Sequence, residues 1–414
     1  MIPLLQRPLR NTLVYACVCL FFLPKINILS IQGQTAGLRI DDLVIFASLA
    51  IILVGFALRG RGRISKLEWA CLLFIVFGVV SALFNIIAYG RSNVLYALRI
   101  LEYFTFFYIG YYFAIRGSIQ RLSWILLFVT AAVMLLQYVG LLGGFASSGF
   151  RTSVESRVIG LAGGPWEVGA IINILFGIII FGRSRAVSTV LLLFVATFVL
   201  IFLTGARLPT VAHIILLLYY FYRRSRDPLV FAVKAIIFVS LISAALLLIP
   251  NPVVERSSGL TSSENVTVFK EAYRGVDLNS PPGRYEYFLS GQDIDADASW
   301  LMRAIKWATA IRFWQDSPSA WLVGLGPGFM GIALDGGWLR VLVETGFVGL
   351  ALFLSVYWQL RKLHNAVVNS ACVSLAISMI AIDIHMAYKV MALFFFVMGY
   401  FFYHGEATRQ RPAA

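Results

Sequence analysis

Uninterrupted apolar runs of about twenty residues recur along almost the whole chain, and they limit its possible folds more than any other feature. A helix of that length matches the hydrocarbon thickness of a bilayer and satisfies its own backbone N–H and C=O groups. The runs are continuous and do not alternate in polarity, which argues against a membrane β-barrel. Charged residues are 13% of the 414, against about 25% in soluble domains. The expected fold is an all-α polytopic membrane protein.

Twelve spans are expected, over residues 12–30, 43–59, 67–88, 94–115, 122–142, 165–182, 187–204, 208–222, 229–249, 336–359, 366–384 and 386–404. Residues 1–249 then carry helices 1–9, and residues 250–335 form one long loop. Residues 336–404 carry helices 10–12, and 405–414 form a tail. Lys and Arg gather at alternate ends: Arg7 and Arg10, RGRGRISK (59–66), RGSIQR (116–121), GRSR (182–185), YRRSR (222–226), RKLH (361–364), and Arg409 with Arg411. The positive-inside rule puts these segments and both termini in the cytoplasm and the long loop outside. Much of the net charge of +14 is thus topology control, and nucleic acid is not an expected partner. The basic opening MIPLLQRPLRN is followed by a segment long enough to span, without a small-residue cleavage site. Cys17, Cys19, Cys71 and Cys372 fall inside spans at no ligand-like spacing, so neither disulfides nor a metal site is expected.

Within the long loop, SWLMRAIKWATAIRFW (299–314) spaces its apolar residues as a helix does. It reads as an amphipathic helix on the outer membrane surface or capping the bundle, and a plain structural lid fits the same pattern.

Charges inside spans are costly and by default functional. They are Arg99 and Glu102, Glu167, Arg207, Arg340 and Glu344, Asp383 and Lys389; Lys234 can snorkel to the inner face. The first group lies in the outer third of the membrane, as a cavity open to the outside would require. Local neutralisation is the alternative, since Arg99/Glu102 and Arg340/Glu344 stand i,i+3 and i,i+4. Arg39, Arg91, Arg151, Arg157 and Arg207 occupy outer segments, where basic residues are normally scarce. Guanidinium groups grip phosphate through paired planar hydrogen bonds, so this set reads as an anion site.

Four stretches resemble the O-antigen polymerase and O-antigen ligase superfamily of bacterial envelope glycosyltransferases: RVIGLAGGPWEVGAIINI (157–174), FLTGARLPTVA (202–212), MRAIKWATAIRFWQDSPSAWLVGLGPG (302–328) and DGGWLRVLVETGFVGL (335–350). LRIDDLVIF (38–46) adds weaker support. The resemblance implies a GT-C-like, metal-independent transferase without cofactor, in the bacterial inner membrane, with its active site facing the periplasm. It implies substrates in which an oligosaccharide is linked to undecaprenyl pyrophosphate, and a chain-length regulator as a further partner. Arg157, Arg207 and Arg303 match the arginines that hold the pyrophosphate. Where the ligase branch resembles a His-Asn pair, this chain reads Asp335-Gly336, which favours the polymerase branch.

Transfer also needs a carboxylate to take the acceptor's proton. Asp335 is the first choice, then Glu167, then Glu102; Asp335 as a helix N-cap is the bland reading. Arg99, Glu102, Glu167, Arg340 and Glu344 are the expected substrate contacts. DIDAD (293–297) lacks the Gly and Glu of a calcium loop. A ligase, a lipid-linked sugar flippase and a non-catalytic scaffold are the rival readings. A flippase predicts interrupted helices in matching halves, a pattern that does not stand out in the sequence.

Overall fold

The computed structural model describes residues 7–23, 27–30, 37–58, 64–89, 94–146, 149–151, 157–225, 227–233, 235–237, 240, 263–278, 298–331 and 333–409. The fold is helical: α1 (Arg7–Cys19), α2 (Ile40–Leu58), α3 (Lys66–Tyr89), α4 (Val94–Phe113), α5 (Ile119–Tyr138), α6 (Pro165–Phe181), α7 (Val187–Leu203), α8 (Arg207–Arg224), α9 (Ser263–Arg274), α10 (Ala298–Asp316), α11 (Pro318–Val323), α12 (Gly337–Arg361), α13 (Ala366–Ser378) and α14 (Tyr388–Arg409). Two short antiparallel hairpins, Asn27–Ser30 with Gly37–Arg39 and Gly144–Ala146 with Gly149–Arg151, are the departure from an all-α chain among the described residues. Lys66–Ile87, Ile119–Tyr138 and Gly337–Arg361 are long and apolar enough to cross a membrane, and α6, α7 and α13 are shorter apolar helices.

Burial separates the helices into inner and outer ones. α6 is apolar all round and buried almost continuously from Val168 to Ile180, as a central helix must be. α14 is likewise buried from Val390 to Met398. On α3, α5 and α7, side chains such as Val80, Phe128 and Leu192 stay exposed, an apolar outer surface that suits lipid. The closest pairing is α4 with α14, where Gly110 faces the Phe396 backbone and Gly399 faces the Phe107 backbone. Only glycine lets two helix backbones approach so closely. Aromatic rings of the two helices interlock around these contacts, Phe104 with Phe395 and Tyr111 with Tyr403. Gly399→Leu is therefore expected to push α14 off α4 and abolish monodisperse protein in size-exclusion chromatography; Gly405→Leu, on the same helix with open space around it, should elute as wild type.

The basic helix ends are gathered at one end of the bundle. Arg224 donates from Nη1 to the Arg185 carbonyl at 2.9 Å, tying the end of α8 to the end of α6. Gln120 donates to Ile178 O, tying the start of α5 to the same place, and Tyr400 donates to Gly117 O at 3.5 Å. Tyr108 near the end of α4 meets Glu68 at the start of α3.

Four expectations change. Span 12–30 stops at Cys19, and residues 27–30 are a strand; Pro24 lacks the N–H a continuing helix needs. Span 366–384 stops at Ser378, and a 3-10 turn at Ile384–Met386 precedes α14. The long loop contains α9, α10 and α11, with the amphipathic stretch forming α10; α9 seats Val268 against Leu301, Ala304 and Ile305 of α10. Finally, α12 is interrupted: Gly346 has φ 65° and ψ −172°. Of span 229–249, residues 228–233 and 235–237 are helical and most of the rest lies outside the described residues, as do DIDAD and the side chains of Arg39, Arg91 and Arg151.

Candidate functional site

The break at Gly346 organises the end of the bundle opposite the basic loops. A helix interrupted there leaves the Val343 and Glu344 carbonyls without their usual partners four residues on. The segment GLG (324–326) lies alongside and supplies them: Leu325 N–H donates to Val343 O at 2.8 Å and Gly326 N–H to Glu344 O at 2.9 Å. From α3, Ser81 donates to Val323 O, and Asn85 donates to Gly324 O at 3.0 Å. Irregular backbone at membrane depth survives only when protein groups satisfy it in this way. Gly324, at φ 77°, sits so close to the Glu344 backbone that a side chain would collide with it.

Below this joint, Arg340 is completely buried. Its Nη1 donates to Asp383 Oδ2 at 2.9 Å, its Nη2 to Gly331 O at 2.8 Å, and its Nε lies 3.2 Å from Glu344 Oε2. Asp383 also accepts from the backbone N–H groups of Leu334 at 2.6 Å, Asp335 at 3.3 Å and Gly336 at 3.0 Å. A carboxyl that only accepts, from three amides and a guanidinium, is held as the carboxylate. The α12 N–H groups of Gly337 and Trp338 meet the carbonyls of Ile382 and Met379. Asp383 and its neighbours thus perform the capping expected of Asp335. The N-cap is Gly336, without a side-chain hydrogen bond, while Asp335 adopts φ 58° and turns its carboxylate to within 3.8 Å of Arg303 Nε. Both partners are partly exposed, at 28% and 38%.

Arg99 and Arg340 converge on one aromatic ring, with guanidinium carbons 4.9 and 5.5 Å from the Tyr96 centroid. A guanidinium over an aromatic face is favourable, and more so away from water. Glu102, one turn along from Arg99, is half-buried and also has an interaction partner. Beside Tyr96 a cavity of about 30 Å³ is lined by Val341, Glu344, Thr345 and His385, room for a water or two. Glu344 Oε1 and His385 Nδ1 are buried there without a hydrogen-bond partner.

A second group forms where α5, α6 and α8 meet. Arg157 donates from Nε to Thr204 O at 2.8 Å and from Nη2 to Gly205 O at 3.2 Å. It thereby clasps the turn that launches α8 at Arg207, and Gly205 there has φ 60°. Glu167, in the first turn of α6, accepts from Gly163 N–H at 3.0 Å. Gln137 on α5 fixes the turn from below: Nε2 donates to Gly143 O and Gly160 O, both at 3.0 Å, and Oε1 accepts from Ile159 and Gly160 N–H. Lys389 of α14 reaches across to the Leu161 carbonyl at 2.6 Å and to the Leu23 carbonyl. Gln137→Leu would orphan the buried Gly160 amide groups, which costs about 1–3 kcal/mol each. The variant should melt several degrees lower in a thermal-shift assay, with the Arg157 turn displaced.

The structure therefore joins Arg303 with Asp335, and Arg99 with Arg340 and Glu344 through Tyr96. It sets Arg157, Glu167 and the α8 start bearing Arg207 around one pair of turns. The 379–389 segment touches both groups, through Asp383 and Lys389. Those two were visible as intramembrane charges without a role; Gln137 and Tyr96 gave no signal in the sequence. No protein-family model matches the chain, and no curated protein matches it.

Proposed function

We propose that the protein is a membrane glycosyltransferase that polymerises oligosaccharide repeat units linked to undecaprenyl pyrophosphate. The observation that carries this reading is the gathering of half-buried arginines at the end of the bundle opposite the basic loops, on a turn, at a helix start and on α10 beside Asp335. Arg157 and Arg207 flank one turn, and Arg303 of α10 lies beside Asp335, on the turn ahead of α12. Fixed guanidinium groups in a site shielded from water stabilise charge that develops on a leaving pyrophosphate without reorganising. Asp335, partly exposed and next to Arg303, takes the proton of the acceptor hydroxyl in this reading. Arg340 and Glu344 are assigned a supporting role, because their charges are spent on one another and on Asp383.

In this reading the chain crosses a bacterial inner membrane twelve times, in a GT-C-like arrangement. Both termini lie in the cytoplasm, and the α9–α11 region covers the periplasmic site. The lipid-linked substrates are amphiphilic anions and enter sideways from the bilayer; a chain-length regulator is the further partner. Asp335 in place of a histidine favours polymerase over ligase. The interrupted α12 is one element a flippase would also show, so the test must separate the two. Purified protein in nanodiscs receives a lipid-linked repeat unit, and products are resolved on a gel. A ladder of chain lengths supports polymerase, and transfer only to a second acceptor supports ligase. Substrate moved across proteoliposome membranes with no glycosidic bond formed would sink the enzyme reading.

A further inference from the structure

At the opposite end of the bundle, α8, α12 and α13 leave an open groove of about 550 Å³. Its wall runs from Arg361 and Asn369 at one end, past Tyr357 and Trp358, to Ala376 on α13. Seven residues of α13 separate Asn369 from Ala376, about 10 Å of helix. The groove is thus polar and cationic at its mouth and apolar towards the middle of the bundle. Trp358 is 58% exposed and Leu354 46%, on the part of α12 that follows the break at Gly346.

Charge and place point to one occupant. Arg361 is exposed at the last residue of α12 and makes no ion pair among the described residues. Lys362 follows it, its ammonium 5.4 Å from the Trp358 ring centroid. Tyr219 and Trp358 line the groove beside Arg361, residue types that settle at the headgroup level of a bilayer, while Tyr357 turns inward to Met379. A basic mouth between membrane helices, flanked by such aromatics and opening onto an apolar slot, matches a phosphate headgroup with an acyl chain attached.

We propose that this groove is a binding site for one anionic phospholipid of the surrounding bilayer. The phosphate bonds to Arg361, the headgroup reaches Asn369, and an acyl chain lies along Cys372, Val373 and Ala376. The lipid completes the contact between α8 and α12, which face one another across the gap. This inference stands independently of the transferase reading.

Native mass spectrometry of the full chain, released from nanodiscs of mixed phosphatidylglycerol and phosphatidylcholine, tests it. Wild type is expected to retain one phosphatidylglycerol, unaffected by excess inorganic phosphate. Arg361→Ala should lower the retained fraction about tenfold, the worth of one charge-assisted phosphate contact. Val373→Trp, which fills the slot, should remove the adduct, while eluting as wild type on size-exclusion chromatography. Equal retention of the two lipids would overturn the proposal. So would an adduct unchanged in both variants, or one displaced by inorganic phosphate.

Discussion

Arg340→Met is expected to yield little folded protein. The guanidinium is fully buried and holds Asp383, Glu344 and the Gly331 carbonyl at once. Removing it leaves two buried carboxylates facing each other without a counter-charge, and breaking a buried pair in this way costs about 3–5 kcal/mol. That approaches the whole stability of many domains, about 5–15 kcal/mol. The damage would spread along the backbone, because Asp383 also fixes Leu334, Asp335 and Gly336 ahead of α12. Fluorescence-detected size-exclusion and thermal melting in detergent measure the loss. The triple variant Arg340→Met, Glu344→Gln, Asp383→Asn leaves no uncompensated charge and should recover part of the melting temperature. A single Arg340→Met variant that melts like wild type would show the triad to be dispensable.

Arg207→Ala should behave in the opposite way, with normal expression and melting but transfer reduced about 100-fold or more, the usual effect of removing one donor from a developing oxyanion. Arg207 opens α8 and is half-buried, so its truncation leaves no core cavity. Arg157→Ala should lose activity to a similar degree and also melt lower, since two of its donors hold the Thr204 and Gly205 carbonyls. Arg157→Lys separates the roles: one ammonium cannot reproduce a planar fork, so charge is kept and geometry lost. Ladder formation in nanodiscs measures all three. Turnover near wild type in Arg207→Ala would remove the pyrophosphate argument.

The long apolar stretches announced α3, α5 and α12 because helix length and hydrophobicity are local properties. Arg99 and Arg340 were visible as misplaced charges for the same reason. Their meeting place, Tyr96, was hidden, because one tyrosine in an aromatic-rich helix looks like any other. Asp383 stands 43 residues from Arg340, and no spacing rule links residues on different helices. The break at Gly346 was equally silent. Glycine is common in membrane helices, and only the arrival of residues 324–326 beside it makes an interruption tolerable. Pro24 was passed over inside the expected span 12–30, although a proline lacks the N–H that a helix interior uses.

The central position of α14 has a consequence for biogenesis. Its partners α4 and α6 leave the ribosome hundreds of residues earlier, and the Lys389 contacts reach back to Leu23 and Leu161. Until residues 388–409 are synthesised, the slot between those helices has no occupant, and Gly110 has nothing to pack against. The earlier helices must wait in the membrane half-assembled, held by local neighbours such as α6 with α7. Contacts so distant in sequence form late and slowly. Truncations that remove α14 should therefore expose the whole inner surface to quality-control proteases rather than shorten the protein harmlessly.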